Sequence, residues 1–261
     1  MSTLTLSQAG TKYLRGASGI IIYKQKEAIL LQKIKQLFNK EAVKDGTVSK
    51  SKIHSYLPKK PVVVEAGAHV GVDTVEMAQA WKDATIHAFE PVKEIYKQLE
   101  ANTKDLSNVH AYELALGEKT GKADIFVSGG TSDGSSSLLK PKDHITSHPE
   151  VTFKNKQTIK TITLSDWAKK YSVKKVDFFW LDMQGLELQV MKASPEVVKK
   201  ASVIYTEVSL IETYEGAATY PEVRVWLESL GFTVVIEELP WEDMGNILFV
   251  NNKKLKELNG R

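Results

Sequence analysis

The sequence predicts a doubly wound α/β fold built on a mostly parallel sheet. From about residue 60 onward, short apolar runs alternate with helix-like stretches, which is the pattern of successive βαβ units. Four of these runs are apolar almost throughout, as strands are when helices cover both faces of a sheet. The first run is also followed at once by a glycine-containing turn and a helical stretch.

The strands can be assigned in order along the chain. Five parallel strands are predicted, and the last two segments are predicted to form a terminal antiparallel hairpin. In chain order the seven segments are residues 62–66, 85–89, 109–114, 176–182, 203–207, 232–236 and 247–250.

One region interrupts this rhythm. Residues 117–157 are rich in glycine, serine and proline, and they predict a long loop-rich insertion with a single strand at residues 123–127. Long loops in compact domains commonly act as lids or binding loops, and disorder is the alternative.

Composition limits the class of protein. The chain has 261 residues, 42% of them hydrophobic, and no cysteine, which excludes disulfide scaffolds and cysteine-ligated metal sites. The opening residues lack a secretory signal pattern, so a cytoplasmic location is expected. The longest apolar runs are far shorter than the roughly 20 residues of a membrane span, so none is predicted.

The first part of the chain is predicted to be a basic helical extension. Residues 1–60 carry 12 Lys/Arg against 3 Asp/Glu, and residues 27–37 show helical amphipathic spacing. This basic segment is either a solvent-exposed lysine-rich helix or a binding surface for an acidic partner. We therefore expect an extension at residues 1–59, which would cap the site, bind substrate or pair subunits of a homo-oligomer. A main domain at residues 60–252 and a tail at residues 253–261 follow.

A glycine-containing turn follows the first predicted strand. Gly67 and Gly71 would let the backbone turn sharply and approach a ligand, next to the exposed amides of a helix N-terminus. The spacing is G-x-x-x-G rather than the G-x-G-x-x-G of dinucleotide-binding loops. Glu65, two residues earlier, would oppose a pyrophosphate and suit a cationic ligand.

The second strand ends in an acid. Glu90 lies at its tip, where a carboxylate can accept hydrogen bonds from a ribose diol, so we predict an adenosine-type cofactor. The alternative is that Glu90 is a favourable charge at the start of a helix opened by Pro91.

Further carboxylates follow the fourth and fifth strands. Asp182 and Glu207 end these strands, and the carboxyl ends of parallel strands share one crevice. Glu187 stands in the first turn of the next helix, where either a functional role or a simple helix charge accounts for it.

Together these segments resemble the FkbM family of S-adenosylmethionine-dependent methyltransferases. The resemblance covers about residues 60–252 and keeps the order of the family's motifs, and residues 1–59 lie outside it. The matching segments are Glu65 to Gly71, Phe89-Glu90-Pro91, Ala115-Leu116-Gly117, Ser135-Ser136-Ser137-Leu138, Thr163-Leu164-Ser165-Asp166, Leu181 to Glu187 and Tyr205-Thr206-Glu207.

The resemblance implies a class I methyltransferase (Rossmann-like) fold with seven strands, the last of them antiparallel. It implies S-adenosylmethionine as cofactor, S-adenosylhomocysteine as product, and O-methylation of a hydroxyl on a sugar, glycoconjugate or natural product. The cofactor-binding residues that it implies are Glu65, Gly67, Ala68, His69, Gly71, Glu90, Pro91, Ala115, Leu116, Asp182 and Gln184. The chain departs from the common family pattern at Trp180, often lysine, and at Gln184, commonly glutamate.

Methyl transfer to a hydroxyl requires in-line alignment and a group that accepts the hydroxyl proton. Asp182 is the leading candidate for this base, followed by His69 and Glu207. Asp182 and Glu207 could instead hold a divalent cation, but no compact ligand motif supports a metal site. The candidate substrate-binding residues are Ser135, Ser136, His144, Glu187, Tyr214 and Trp241.

Three other functions compete with this hypothesis. A nucleic-acid methyltransferase acting on an RNA 2′-hydroxyl or cap would use the basic first 60 residues, although the chain has only three arginines. A nicotinamide-dependent dehydrogenase is disfavoured by the missing third glycine of the turn. The third is a catalytically silent binding module.

Overall fold

The computed structural model describes residues 43–44 and 48–259 of the 261-residue chain. The helix predicted at residues 27–37 and most of the basic extension lie outside these residues. No helix among the described residues has the length and apolar character that crossing a membrane requires.

Strands and helices alternate through most of the described chain. The strands are β1 (Val43–Lys44), β2 (Val62–Ala66), β3 (Thr85–Phe89), β4 (Val109–Tyr112), β5 (Ala115–Leu116), β6 (Gly121–Gly130), β7 (Val151–Ile162), β8 (Phe178–Leu181), β9 (Val203–Ser209), β10 (Phe232–Glu238) and β11 (Met244–Asn251). The helices are α1 (Lys50–His54), α2 (Val72–Ala80), α3 (Lys93–Thr103), α4 (His144–Ser147), α5 (Leu164–Lys170), α6 (Glu187–Lys192), α7 (Pro195–Val198), α8 (Tyr220–Ser229) and α9 (Asn252–Asn259).

The main sheet confirms the predicted fold class. Its order is β1-β10-β11-β9-β8-β2-β3-β4, in which β11 is antiparallel to both neighbours and the other pairs are parallel. Seven strands form the predicted sheet, and the two-residue strand β1 extends its edge. From β2, the strands β3 and β4 follow toward one edge of the sheet, whereas β8 and β9 lie on the other side of β2. In open α/β sheets ligands bind where the strand order changes in this way, so the carboxyl ends of β2 and β8 flank the expected crevice.

The region predicted as a loop-rich insertion is a second, three-stranded sheet with the order β5-β7-β6. The predicted strand at residues 123–127 lies within β6, but β7 was not predicted. β7 pairs with β6 along almost its whole length, from Gly121 opposite Thr161 to Gly130 opposite Val151. The polar residues in the middle of β7 are largely exposed, which explains why its sequence gives no strong strand signal.

Three further boundaries differ from the prediction. The segment predicted as one strand at residues 109–114 divides into β4, in the main sheet, and β5, in the second sheet. The expected connector before Pro61 contains α1, which begins after Ser49, whose side chain accepts a hydrogen bond from the backbone N–H of Lys52. The predicted tail at residues 253–261 is largely the helix α9.

The main hydrophobic core lies between the sheet and the helices α1 and α2. Ile53 and Leu57 pack there with Met77, Trp81 and Phe178, and Ile53 and Phe178 are fully buried. Burying side chains of this size stabilises the fold by about 1.5–3 kcal/mol each. The predicted domain boundary after residue 59 stays a prediction, although the core includes residues that precede it.

Candidate functional site

A cavity of about 270 Å³ opens at the carboxyl ends of β2, β3 and β8. The turn after β2 contributes the first part of its wall, and the second sheet contributes another. Its apolar lining includes Leu114, Leu116, Ile125 and Leu138, and its acidic lining includes Glu65, Asp73, Glu90, Asp133 and Asp182. A ligand with both an apolar ring system and positive charge fits this combination.

The turn after β2 is built from left-handed backbone conformations. Gly67, His69 and Gly71 have φ angles of +82°, +50° and +86°. The backbone N–H groups of Gly67 and Ala68 both donate to the carbonyl of Phe89, at 3.1 and 3.0 Å, which ties this turn to the end of β3.

The two glycines are needed for contacts within the protein. A Cβ atom at Gly67 would lie 1.8 Å from the carbonyl oxygen of Asp182, and one at Gly71 would lie 2.6 Å from the Leu99 side chain. Gly67 lines the cavity, whereas Gly71 caps α2 and lies outside the lining. The glycine spacing therefore reflects close strand and helix packing, in addition to the ligand approach that the sequence suggested.

Glu90 lies in the cavity wall with only 5% of its surface exposed. Its two carboxylate oxygens accept backbone N–H groups from Val92 at 2.8 Å and from His69 at 3.1 Å. Burial raises the pKa of Glu90 to about 7 despite these hydrogen bonds. Each oxygen retains lone-pair capacity, so the carboxylate is held in place and can still accept ligand hydroxyls.

Glu65 is a second buried carboxyl in the wall. It is 2% exposed and accepts a hydrogen bond from the Thr74 hydroxyl at 2.6 Å. Burial raises the pKa of Glu65 to about 8. A nearby cation would favour its ionised form, because the two charges attract strongly where water is excluded.

His69 projects from the same turn to the rim of the cavity. Its Nε2 atom lies 2.9 Å from Asp133 Oδ1, on the segment that follows β6. The His69 side chain is 37% exposed and the Asp133 side chain 62% exposed. This contact joins the turn after β2 to the segment after β6 and places a carboxylate on one ring nitrogen of His69.

Three carboxyl groups meet beside the end of β8. Oxygen atoms of Asp182, Glu187 and Glu207 lie within 4.8 Å of one another. Burial and the neighbouring charge of Asp182 raise the pKa of Glu207 well above its usual value, and burial also raises the pKa of Asp182. Because like charges this close disfavour joint ionisation, one of these carboxyls keeps its proton more readily than the other, and the stronger rise in pKa favours Glu207 for that proton.

Glu187 accepts hydrogen bonds from the backbone of the turn that precedes its helix. Its Oε1 accepts the backbone N–H of Met183 at 2.6 Å and that of Gly185 at 3.4 Å, and the residue is 4% exposed. Burial raises the pKa of Glu187 to about 8. Glu187 lies outside the cavity lining, so its geometry fits the turn and helix role better than the predicted substrate contact.

The three carboxyls also provide the one group of potential metal ligands found among the described residues. Oxygen ligands of this kind suit magnesium or calcium. However, Gln184 Nε2 donates to Asp182 at 2.7 Å and to Glu207 at 3.0 Å. A donor N–H pointing at both carboxylates favours a shared proton over a cation there.

The other predicted residues divide between the cavity and the protein interior. Ala68, Pro91, Ala115, Leu116 and Ser136 line the cavity with the residues already described. Those outside the lining are Gly71, Ser135, His144, Gln184, Glu187, Glu207, Tyr214 and Trp241.

Two of these predicted substrate contacts are core residues. His144 and Tyr214 are 2% and 1% exposed, and their rings pack at a centroid distance of 5.2 Å. Trp241 is 53% exposed, on the connection between β10 and β11. An exposed aromatic of this kind remains available for a partner, whereas a buried one does not.

The sequence did not single out several residues that line the cavity. Asp73 is one of them, and its position two residues after Gly71 could have indicated that it lies near the cavity. Ile125, in β6, and Asp133, in the segment after β6, reach the cavity because this part of the chain folds against it. No local pattern could have identified these two residues. Leu138, which ends one of the segments that resemble the family, also lines the cavity.

We expect Glu90→Gln to weaken binding of S-adenosylmethionine about 10- to 100-fold, because the amide cannot accept from both backbone N–H groups and a buried donor loses its partner. Titration calorimetry on the full chain measures the change. Glu94→Gln is the matched control, since Glu94 is exposed and its carboxylate accepts from Lys97 on the protein surface. Equal affinities for the two variants would contradict the role of Glu90.

Comparison with known proteins gives a consistent result. The model of the family described as "Methyltransferase FkbM domain" matches residues 65–234. "2-O-methyltransferase NoeI" of Sinorhizobium fredii (strain NBRC 101917 / NGR234) is 28% identical over 198 residues, covering 74% of this chain and 80% of that protein. "Methyltransferase sdnD" of Sordaria araneosa is 25% identical over 212 residues, covering 71% of this chain and 78% of that protein.

A solved structure shares the fold. "Methyltransferase FkbM from Methylobacillus flagellatus KT" aligns with a TM-score of 0.51 at 12% identity, covering 82% of this chain and 50% of that chain. At this identity the likeness concerns the fold alone. It supports the fold class described above.

Proposed function

The chain belongs to the methyltransferase FkbM domain family, and we propose that this methyltransferase transfers a methyl group from S-adenosylmethionine to a hydroxyl of a sugar, glycoconjugate or natural product. The observation that carries the proposal is the position of Asp182 in the wall of the same cavity that contains Glu90. A carboxylate that can accept hydrogen bonds from a ribose and a carboxylate that can accept a proton thus line the same cavity.

The residues of the cavity fit S-adenosylmethionine. The carboxylate of Glu90, fixed by two backbone N–H groups, would accept the ribose hydroxyls. Leu116, Ile125 and Leu138 offer apolar surface for the adenine ring. Glu65 and Asp73 would offset positive charge on the methionine portion.

When bound, S-adenosylmethionine supplies an electrophilic methyl group on a positively charged sulfur. The chain's own contribution is alignment and proton transfer. Asp182 would accept the proton of the acceptor hydroxyl, while Glu207 retains its proton and stabilises the pair through their mutual hydrogen bond. His69 is the second candidate, because Asp133 bonds its Nε2 and would orient the ring, and its Nδ1 is the other nitrogen that can accept a proton.

A hydroxyl acceptor is supported by the relative whose name specifies 2-O-methyl transfer. The experiment is incubation of the full chain with methyl-labelled S-adenosylmethionine and a panel of sugars, glycosylated metabolites and short RNAs. Mass spectrometry of the products then identifies the methylated acceptor. Methylation of a non-RNA hydroxyl is the expected result, and methylation at nitrogen or carbon only would refute the proposal.

The alternative acceptor is an RNA 2′-hydroxyl or cap. Its support is the surplus of 12 Lys/Arg over 3 Asp/Glu in residues 1–60, most of which lie outside the described residues. RNA binding by this route would weaken steeply with added salt, because counterions are released on binding. Selective methylation of RNA in the panel, with salt-sensitive affinity, would replace the small-molecule proposal.

Binding of the cofactor is expected to depend on pH. Glu65 and Glu90 have pKa values raised to about 8 and about 7, so both carboxyls hold protons over part of the neutral range. Raising the pH ionises them and favours a cationic ligand. We expect the affinity for S-adenosylmethionine to rise about tenfold from pH 6 to pH 9.

S-adenosylhomocysteine lacks the sulfonium charge, so its affinity should change less over the same range. Calorimetric titrations of both ligands across this range provide the comparison. Glu65→Gln should flatten the pH dependence for S-adenosylmethionine, since the amide keeps the acceptor for Thr74 without titrating. Parallel pH profiles for the two ligands would rule out this linkage.

A further inference from the structure

We propose that Gln184 is a positioning residue that holds Asp182 as the proton acceptor and Glu207 as its protonated partner. The inference rests on the proposed function and adds a residue that does not line the cavity. The resemblance to the family implies a cofactor contact for Gln184. Its contacts point instead to the carboxyl pair.

The hydrogen bonds of Gln184 define which way its amide faces. The Tyr214 hydroxyl lies 2.9 Å from Gln184 Oε1 and 2.9 Å from the carbonyl oxygen of Ser135, so its single proton is shared between two acceptors. The two carboxyls on the other side of the amide need a donor, and they place the oxygen end toward Tyr214. Nε2 therefore faces the carboxyls, and donates to Asp182 Oδ1 at 2.7 Å and to Glu207 Oε2 at 3.0 Å. An amide nitrogen has two N–H groups, and both are used here.

The backbone around Gln184 leaves this side chain little freedom. Gln184 has a φ of +55° and is 7% exposed, and its carbonyl accepts the Ser137 hydroxyl at 2.8 Å. The next residue, Gly185, has a φ of +95°, and a Cβ there would lie 2.9 Å from the Ala217 side chain. A non-glycine residue held in the left-handed region needs surrounding structure to maintain it.

The side chain of Gln184 is neutral, and this matters in such an acidic setting. Glu187 faces Glu207, and Asp73 and His69 act on Asp182 through their charges. Burial raises the pKa values of Tyr205 and Tyr214, which lie nearby, and the charge of Asp182 raises them further. A carboxylate at position 184 would add another negative charge, whereas the amide donates hydrogen bonds without one.

The donated hydrogen bonds favour the ionised form of Asp182. Burial raises the pKa of Asp182, and the N–H of Gln184 lowers it. The loss of a hydrogen bond to a charged carboxylate is expected to move its titration upward by about one to two pH units. Gln184 thereby sets the lower end of the pH range over which Asp182 can accept a proton.

The experiment compares the pH profiles of kcat/KM for the wild type, Gln184→Met and Gln184→Glu. Methionine removes the donor, and glutamate adds a titrating carboxyl. In both variants we expect the acidic limb of the profile to move upward by about one to two pH units. Activity should approach the wild-type value above the new limb.

Tyr214→Phe tests the same arrangement from the other side, because it removes the hydroxyl that orients the amide while keeping the buried ring. We expect a smaller upward movement of the same limb. Gln189→Met is the matched control, since the side chain of Gln189 donates to the carbonyl of Gly216, away from the carboxyl pair, and the residue lies outside the cavity lining. Its profile should superimpose on the wild-type profile.

A loss of activity that is uniform across pH in both Gln184 variants, with an unmoved limb, would show a merely structural role and overturn the inference. The proposed function has separate tests. If Asp182→Asn retains activity, Asp182 is not the base, and the proposed mechanism fails whatever the Gln184 variants show. If Asp182→Asn is inactive and the Gln184 limbs do not move, only the inference about Gln184 fails.

Discussion

Asp182→Asn is expected to lower kcat about a thousandfold while leaving the affinity for S-adenosylmethionine nearly unchanged. General-base catalysis contributes about 10²–10⁴-fold in enzymes. Asparagine keeps the shape of the side chain and can still accept the N–H of Gln184, so the local structure should persist. The substitution replaces one carboxylate oxygen with an N–H donor and so removes the capacity to take the hydroxyl proton.

Single-turnover methyl transfer and calorimetric titration on the same preparation separate the two effects. The control is Asp83→Asn, an exposed acid outside the cavity lining, which should behave as wild type in both assays. Full turnover by Asp182→Asn would transfer the base assignment to another group. A parallel loss of cofactor affinity would instead mean that Asp182 serves binding.

Gly67→Ala is expected to destabilise the protein by about 4 kcal/mol. The added Cβ would lie 1.8 Å from the backbone oxygen of Asp182, so β2 and β8 would have to separate at the site. Overpacking costs about 1–3 kcal/mol, and a left-handed conformation costs a non-glycine residue about 1–2 kcal/mol. The site would also lose cofactor binding.

Gly231→Ala isolates the conformational part of this cost. Gly231 has a φ of +88°, close to that of Gly67, but a Cβ there would meet nothing within 4 Å. We expect a loss of only about 1–2 kcal/mol in its free energy of unfolding. Urea unfolding of the two variants tests the difference, and equal losses would show that the clash at Gly67 is relieved at little cost.

The sequence predicted best where short-range pattern and topology coincide. The bounds of β2 and β3 were predicted as observed, because each is an apolar run bordered by turn residues. Glu90 and Asp182 could be placed in one crevice because parallel strands present their carboxyl ends on the same edge of a sheet.

The remaining features depend on tertiary contacts. β7 escaped prediction because its central residues are polar and exposed, and its pairing with β6 stabilises it. The role of Gln184 depends on Tyr214, 30 positions away, whose hydroxyl orients the amide. The sequence predicts substrate contacts for His144 and Tyr214, yet these two side chains pack against each other in the interior.

The most direct test of the account is calorimetric titration of the full chain with S-adenosylmethionine and with S-adenosylhomocysteine at pH 8. The cavity geometry predicts one binding site per chain for each compound, and prior saturation with one should abolish the heat of the other. Absence of binding heat for both compounds would contradict the claim that this crevice holds the methyl donor.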